Sequence, residues 1–182
     1  MEIKEVQSIL TIGETVAVEF KRCGNGIEND TYETVCSFLN RFGGDLFMGI
    51  LDDGTVVGIP EKAAPDMVKN FIKVISNPTL FSPTIYLVPE IIKYDESHTI
   101  IHVHIPPSAE VHSFKKVIYD RVDDADVKIT STSAIAQMYI RKQNIFTEKK
   151  IYPYAKMEDL RCISQVRIKI LYLQEEEYVM LM

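Results

Sequence analysis

The stretch from Asp30 to Ile59 constrains the fold most tightly. Tyr32, Val35, Cys36, Leu39 and Phe42 recur at i+3 and i+4 steps and predict a helix. Asp30 and Glu33 form a capping-box-like start, and Gly43-Gly44 is the stop. The apolar run Leu46–Leu51, the turn Asp52-Asp53-Gly54-Thr55 and the apolar Val56–Ile59 then predict a hairpin built on Asp-Gly. The chain therefore holds both helices and strands, joined by short glycine turns.

The flanks continue this alternation. Ile3, Val6, Ile9 and Leu10 predict a helix over 2–10, and Val16 to Lys21 alternates as a half-buried strand with Val16, Val18 and Phe20 on its core side. A second amphipathic helix is predicted over 66–76, ended by Asn77-Pro78. Strands follow at Ile85–Tyr94, Thr99–Ile105 and Val117–Val122, with Pro106-Pro107 stopping the middle one. Ala134, Ile135, Met138 and Tyr139 predict a helix over 131–142, and Met157–Leu173 reads as a further helix beyond a linker near 147–156.

Composition narrows the class. With 46% hydrophobic and 25% charged residues, the 182-residue chain suits an ordinary globular protein rather than a disordered one. Cys23, Cys36 and Cys162 are odd in number and far apart, which argues against a disulfide framework or zinc ribbon and for a reducing, cytoplasmic setting. No apolar run is long enough for a membrane span, and the first residues lack the order of a signal peptide. The net charge of −6 falls in the first third, where residues 1–60 hold 10 acidic against 4 basic side chains. Such a balance disfavours nucleic-acid binding unless local geometry concentrates cations.

Three segments carry a resemblance: Gly13–Lys21 with its Glu14 and Glu19-Phe20-Lys21, Phe38–Ile50 with Asn40 and Gly43-Gly44, and Asp52-Asp53-Gly54 running into Val57-Gly58. In order and spacing they resemble the Schlafen AlbA-2 domain, over roughly residues 10–145. Looser matches are His102–Ser108, Tyr119-Asp120-Arg121 and the 131–142 helix. The resemblance implies an α+β fold with an Alba-like mixed sheet and packed helices, and a nucleic-acid-binding role, DNA or RNA, of the kind found in transcriptional regulators. It places an AlbA-2-like domain at 1–150 and a C-terminal extension, the start of a second region, at 151–182. It also implies a homodimer, since an Alba-like unit builds its binding surface from two copies. Asp123 departs from the family, which commonly has glycine there, and puts a backbone approach to phosphate at that turn in doubt.

A second reading is enzymatic. If the chain bends at Gly13, Glu14 joins Glu19 on one face of the strand, and Asp53 is a third carboxylate able to converge. Three such oxygen ligands suit Mg²⁺ or Mn²⁺, a metal that polarises phosphate and activates water. In Schlafen proteins that are endoribonucleases the matching positions carry the catalytic acidic triad, so the resemblance extends that role to these three residues. The plain alternative is an ion pair at Glu19-Phe20-Lys21 and an ordinary hairpin turn at Asp53-Gly54. A third reading is a protein-interaction domain that kept the fold alone.

For nucleic-acid contact the candidates are Lys21, Arg22, Arg41, Lys115, Lys116, Arg121, Arg141 and Lys142, with Lys149 and Lys150 beyond them. Phe114, Tyr119 and Tyr139 are the aromatic side chains expected to stack unpaired bases. His102 and His104, with His98 nearby, have the spacing of a zinc pair, but alternation with Ile101, Val103 and Ile105 predicts a solvent-facing row. Neither Walker A nor G-x-G-x-x-G is present, so ATP binding finds no support. Cys36 is expected to be core packing.

Overall fold

The computed structural model describes residues 1–24 and 26–147. The helix expected over 157–173, the C-terminal extension, and Lys149 and Lys150 lie outside the described residues.

Helix α1 (Ile3–Ile12) leads through Gly13 into strand β1 (Val18–Lys21), and helix α2 (Asn29–Asn40) crosses over to strand β2 (Gly44–Met48). The crossover is what lets β1 and β2 pair in parallel, Phe20 opposite Phe47. Helix α3 (Ala64–Ile75), strand β3 (Phe81–Ser82), strand β4 (Glu90–Lys93) and strand β5 (Thr99–Ile105) follow. Strand β6 (Ser113–Phe114), strand β7 (Ile118–Val122), strand β8 (Ala125–Ile129) and helix α4 (Thr132–Thr147) complete the described chain. The main sheet runs β1-β2-β5-β4, with β5 antiparallel to both neighbours, and β3-β6 and β7-β8 are separate two-stranded ribbons. The fold is α+β with a mixed sheet.

That sheet is covered on both sides. Leu46, Met48, Ile101, Val103 and Ile105 pack with Val35, Phe38 and Leu39 of α2 and Met67, Phe71 and Ile75 of α3, while Phe20, Phe47, Ile92 and Ile100 pack with Val6 of α1. Strand β1 is therefore not half-buried as its alternation suggested: Glu19, opposite its core side, is buried as well.

Helix α2 is buried on nearly every side, from Thr31 to Asn40. Its N-terminus lies at Glu28 rather than Asp30, with no capping box: Asp30 accepts the amide of Thr31, and Glu33 accepts the Tyr119 hydroxyl at 2.7 Å. The helix ends at Asn40, so Phe42, expected on the core stripe, is 64% exposed. The two glycines that follow have no room for side chains. A Cβ on Gly43, whose φ is +75°, would sit 2.5 Å from the Ile105 carbonyl, and one on Gly44 would sit 2.7 Å from both the Ala17 carbonyl and the Phe38 ring. This close approach seats β2 between β1 and β5.

Three other expectations change. The Asp-Gly hairpin is reduced to one bridge, Ile50 with Val56, because β2 gives its edges to β1 and β5. The strand expected from Ile85 shrinks to Glu90–Lys93 behind Pro89, which has no amide to donate. Strand β8, unforeseen, pairs with β7 across the two-residue turn Asp123-Asp124, where Asp123 takes the left-handed φ of +58° that glycine would favour.

Candidate nucleic-acid interface

Under the β1 edge lies a buried ion network. Glu19 from β1 meets Arg121 from β7 at 2.5 Å through one oxygen and Lys21 at 2.6 Å through the other. Arg121 also donates to Asp126 of β8 at 3.0 Å and to the Thr15 carbonyl, and its guanidinium lies 5.0 Å over the Phe38 ring. Asp126 accepts from the Thr34 and Ser37 hydroxyls of α2. The network clamps the β7-β8 ribbon onto the helix and sheet.

The other two candidate acids behave differently. Glu14 accepts the Phe20 amide at 2.9 Å, and burial holds its carboxyl above the usual range, an effect that Glu19 and Asp52 reinforce and the Phe20 amide and Lys21 oppose. Asp52, a residue the motif did not single out, is thus the turn carboxylate that Glu14 feels. Asp53 is exposed and accepts the amide of Thr55 at 2.8 Å, a bond that holds its carboxyl below the usual range. Among the described residues no group of three or more His, Cys, Asp or Glu side chains is placed to hold a metal ion. The donor set fits a metal poorly: both Glu19 oxygens are already turned to cations, and Asp53 stabilises its own turn.

The basic candidates divide by burial. Arg121 is fully buried, and Lys142 is 1% exposed with its Nζ donating to the Leu39 and Ser108 carbonyls. Neither reaches a surface, which corrects their expected contact with nucleic acid. Burial, reinforced by Arg141, lowers the Lys142 amine to about 8. Lys21 is turned to Glu19 and Asp30. Arg22 is exposed, as are Lys115 and Lys116 in the β6–β7 turn, where Lys115 donates to Asn29 at 2.7 Å.

The remaining pair converges. Arg41, just past α2, reaches Asp120 at 3.3 Å, and Arg141 of α4 reaches the same carboxylate at 3.0 Å, leaving two guanidinium groups against one buried acid. The Arg41 Nε is buried without a hydrogen-bond partner among the described residues, and the Arg41 guanidinium lies 5.3 Å from the centre of the exposed Phe42 ring. Phe114 and Tyr119, expected to stack bases, are buried in the core, while Tyr139 is half exposed. Phe42 is the aromatic the sequence missed, because its spacing from Leu39 continues a helical stripe that Gly43 breaks.

The model of the family described as Schlafen, AlbA_2 matches residues 14–130, well over half of the chain. The chain belongs to this family. A search of curated proteins finds no match. Among solved structures, this AlbA_2 domain is similar to the DIP2311 protein of Corynebacterium diphtheriae, at 18% identity and a TM-score of 0.55 over 78% of this chain and 32% of that one. It is also similar to the N-terminal domain of a protein from Nitrosomonas europaea described as related to the ATP-dependent DNA helicase RecG. There the identity is 18% and the TM-score 0.41, over 58% of this chain and 70% of that one.

On the other face of the sheet the AlbA_2 domain holds its histidines. His102 is buried, not solvent-facing: it stacks on Phe47 at 4.8 Å, and its Nε2 lies 2.8 Å from Asp45. Exposed His104 shares the same Asp45 oxygen at 3.0 Å. Burial would raise the Asp45 carboxyl, yet the two imidazoles hold it below its usual range. A shared carboxylate, rather than a zinc pair, explains their spacing. No helix among the described residues is long and apolar enough to cross a membrane.

Proposed function

We propose that this AlbA_2 domain binds single-stranded nucleic acid through Arg41, Phe42 and Arg141, as part of a protein that regulates transcription. The observation that carries the reading is the convergence of two arginines on Asp120 beside an exposed aromatic ring. Two cations against one acid leave a local positive excess on a chain whose net charge is −6. Arginine forks suit phosphate oxygens, and the open face of Phe42 suits a base of any sequence. Arg22, Lys115 and Lys116 are further accessible cations, Lys115 lying by Asn29 at the other end of α2.

Cleavage is not part of this proposal, since both Glu19 oxygens are turned to cations and Asp53 accepts from its own turn. A homodimer is. Its support is the open edge of β4 and the apolar Tyr86 and Val88, which are 82% and 89% exposed just before that strand. The test is fluorescence anisotropy with labelled single-stranded oligonucleotides at low salt. Binding that weakens about tenfold or more in Phe42→Ala supports the reading, since stacking contributes about 1–3 kcal/mol per base. No binding, or binding untouched by that change, overturns it.

A further inference from the structure

A second site is built where α1 meets the turn between β4 and β5. An open cavity of about 500 Å³ there has an apolar floor of Leu10, Val56 and Tyr94, all packed against the α1-side core, and a polar rim of Gln7, Asp95 and His98. Among the described residues no lysine or arginine lines it.

The rim is fixed before any ligand arrives. Asp95 accepts the amides of Ser97 and His98, both at 2.7 Å, and its two oxygens lie 2.9 and 2.8 Å from His98 Nδ1. These bonds to Asp95 hold its carboxyl below the usual range, so it accepts and Nδ1 must carry the proton. Nε2 is then the nitrogen left for a ligand. Gly58 wedges the same ring from behind: with a φ of +71°, a Cβ there would come within 3.2 Å of His98 Cδ2. A bulkier residue at 58 would push the imidazole out of place.

We propose that this cavity binds an uncharged planar heteroaromatic of the nucleobase class. Its ring lies on the Leu10, Val56 and Tyr94 floor, and its edge is read by the Gln7 amide and His98 Nε2. A primary amide offers a donor and an acceptor side by side, the pattern that a base edge presents in complement. The cavity is of the size that holds small ligands. The Asp95 carboxylate, with no lysine or arginine beside it among the described lining residues, disfavours a phosphate at the rim, so the ligand is a free base or nucleoside. This site is separate from Arg41, Phe42 and Arg141 and does not depend on the reading made there.

The experiment titrates the full chain with adenosine, guanosine, cytidine and uridine in turn, following the amide resonances of Gly54 and His98. Saturable shifts with at least one nucleoside, weakened roughly tenfold by His98→Ala and by Gln7→Ala, are expected. Gln7 is an exposed helix residue, so its variant keeps the fold. Absence of saturation with all four nucleosides would overturn the proposal. So would equal binding by both variants, or binding of indole as tight as the best nucleoside, since indole offers the ring without the base edge.

Discussion

Arg121 and Glu19, 102 residues apart in sequence, meet at 2.5 Å inside the fold, the arginine with no exposed side chain and the glutamate nearly buried. The pair ties the β7-β8 ribbon to the first strand of the main sheet. Removing the arginine leaves Glu19 with Lys21 as its remaining cation and Asp126 with the Thr34 and Ser37 hydroxyls, and breaking such a buried pair costs about 3–5 kcal/mol. Arg121→Met is therefore expected to lower stability by about that much, because Asp126 loses its cation as well. Urea denaturation measures this, and a loss below about 1 kcal/mol would show that the network contributes little.

Lys142 gives a pH signature. Its amine is lowered to about 8 by burial, from an ordinary 10.5 in the unfolded chain. Below pH 8 both states carry the proton and the burial penalty is complete. Between pH 8 and 10.5 the folded state releases its proton first, so this group's contribution rises with pH. Cys36 and Tyr32, whose acidic forms are retained by burial up to about 12, push the other way, so the comparison is with Lys142→Met. Wild type gains stability relative to that variant across this window. Parallel profiles would contradict the assignment.

Asp123 stands in a left-handed turn where the family commonly has glycine. A β-carbon there is strained, although aspartate tolerates the conformation better than most residues. Asp123→Gly should raise stability by about 0.5–1 kcal/mol, seen as a higher urea midpoint with unchanged slope. A lower midpoint would mean that the aspartate side chain is itself a stabilising element of the turn.

The architecture was legible where periodicity and glycine punctuation agree. Val35, Cys36 and Leu39 announce α2, and Met67, Phe71 and Ile75 announce α3, each through spacing alone. Gly43-Gly44 mark the stop because the fold leaves no space for a Cβ at either. The site was less legible. Arg121 and Lys142 read as surface cations because their acceptors, Glu19 and two backbone carbonyls, are about a hundred residues or some tens of residues away in the chain. Phe42 read as core because the stripe of α2 continues through it, whereas the helix stops at Asn40. Strand β8 escaped notice since all of Ala125–Ile129 is at least partly exposed, so no apolar run marks it.

The salt dependence of single-strand binding tests the account most directly. Each phosphate held by a cation contributes about 0.7 to the slope of log affinity against log salt. Arg41→Gln should lower that slope by about 0.7 while Asp120 keeps Arg141 as its partner. A slope that is flat in wild type, or identical in wild type and variant, would contradict a nucleic-acid interface at Arg41, Phe42 and Arg141.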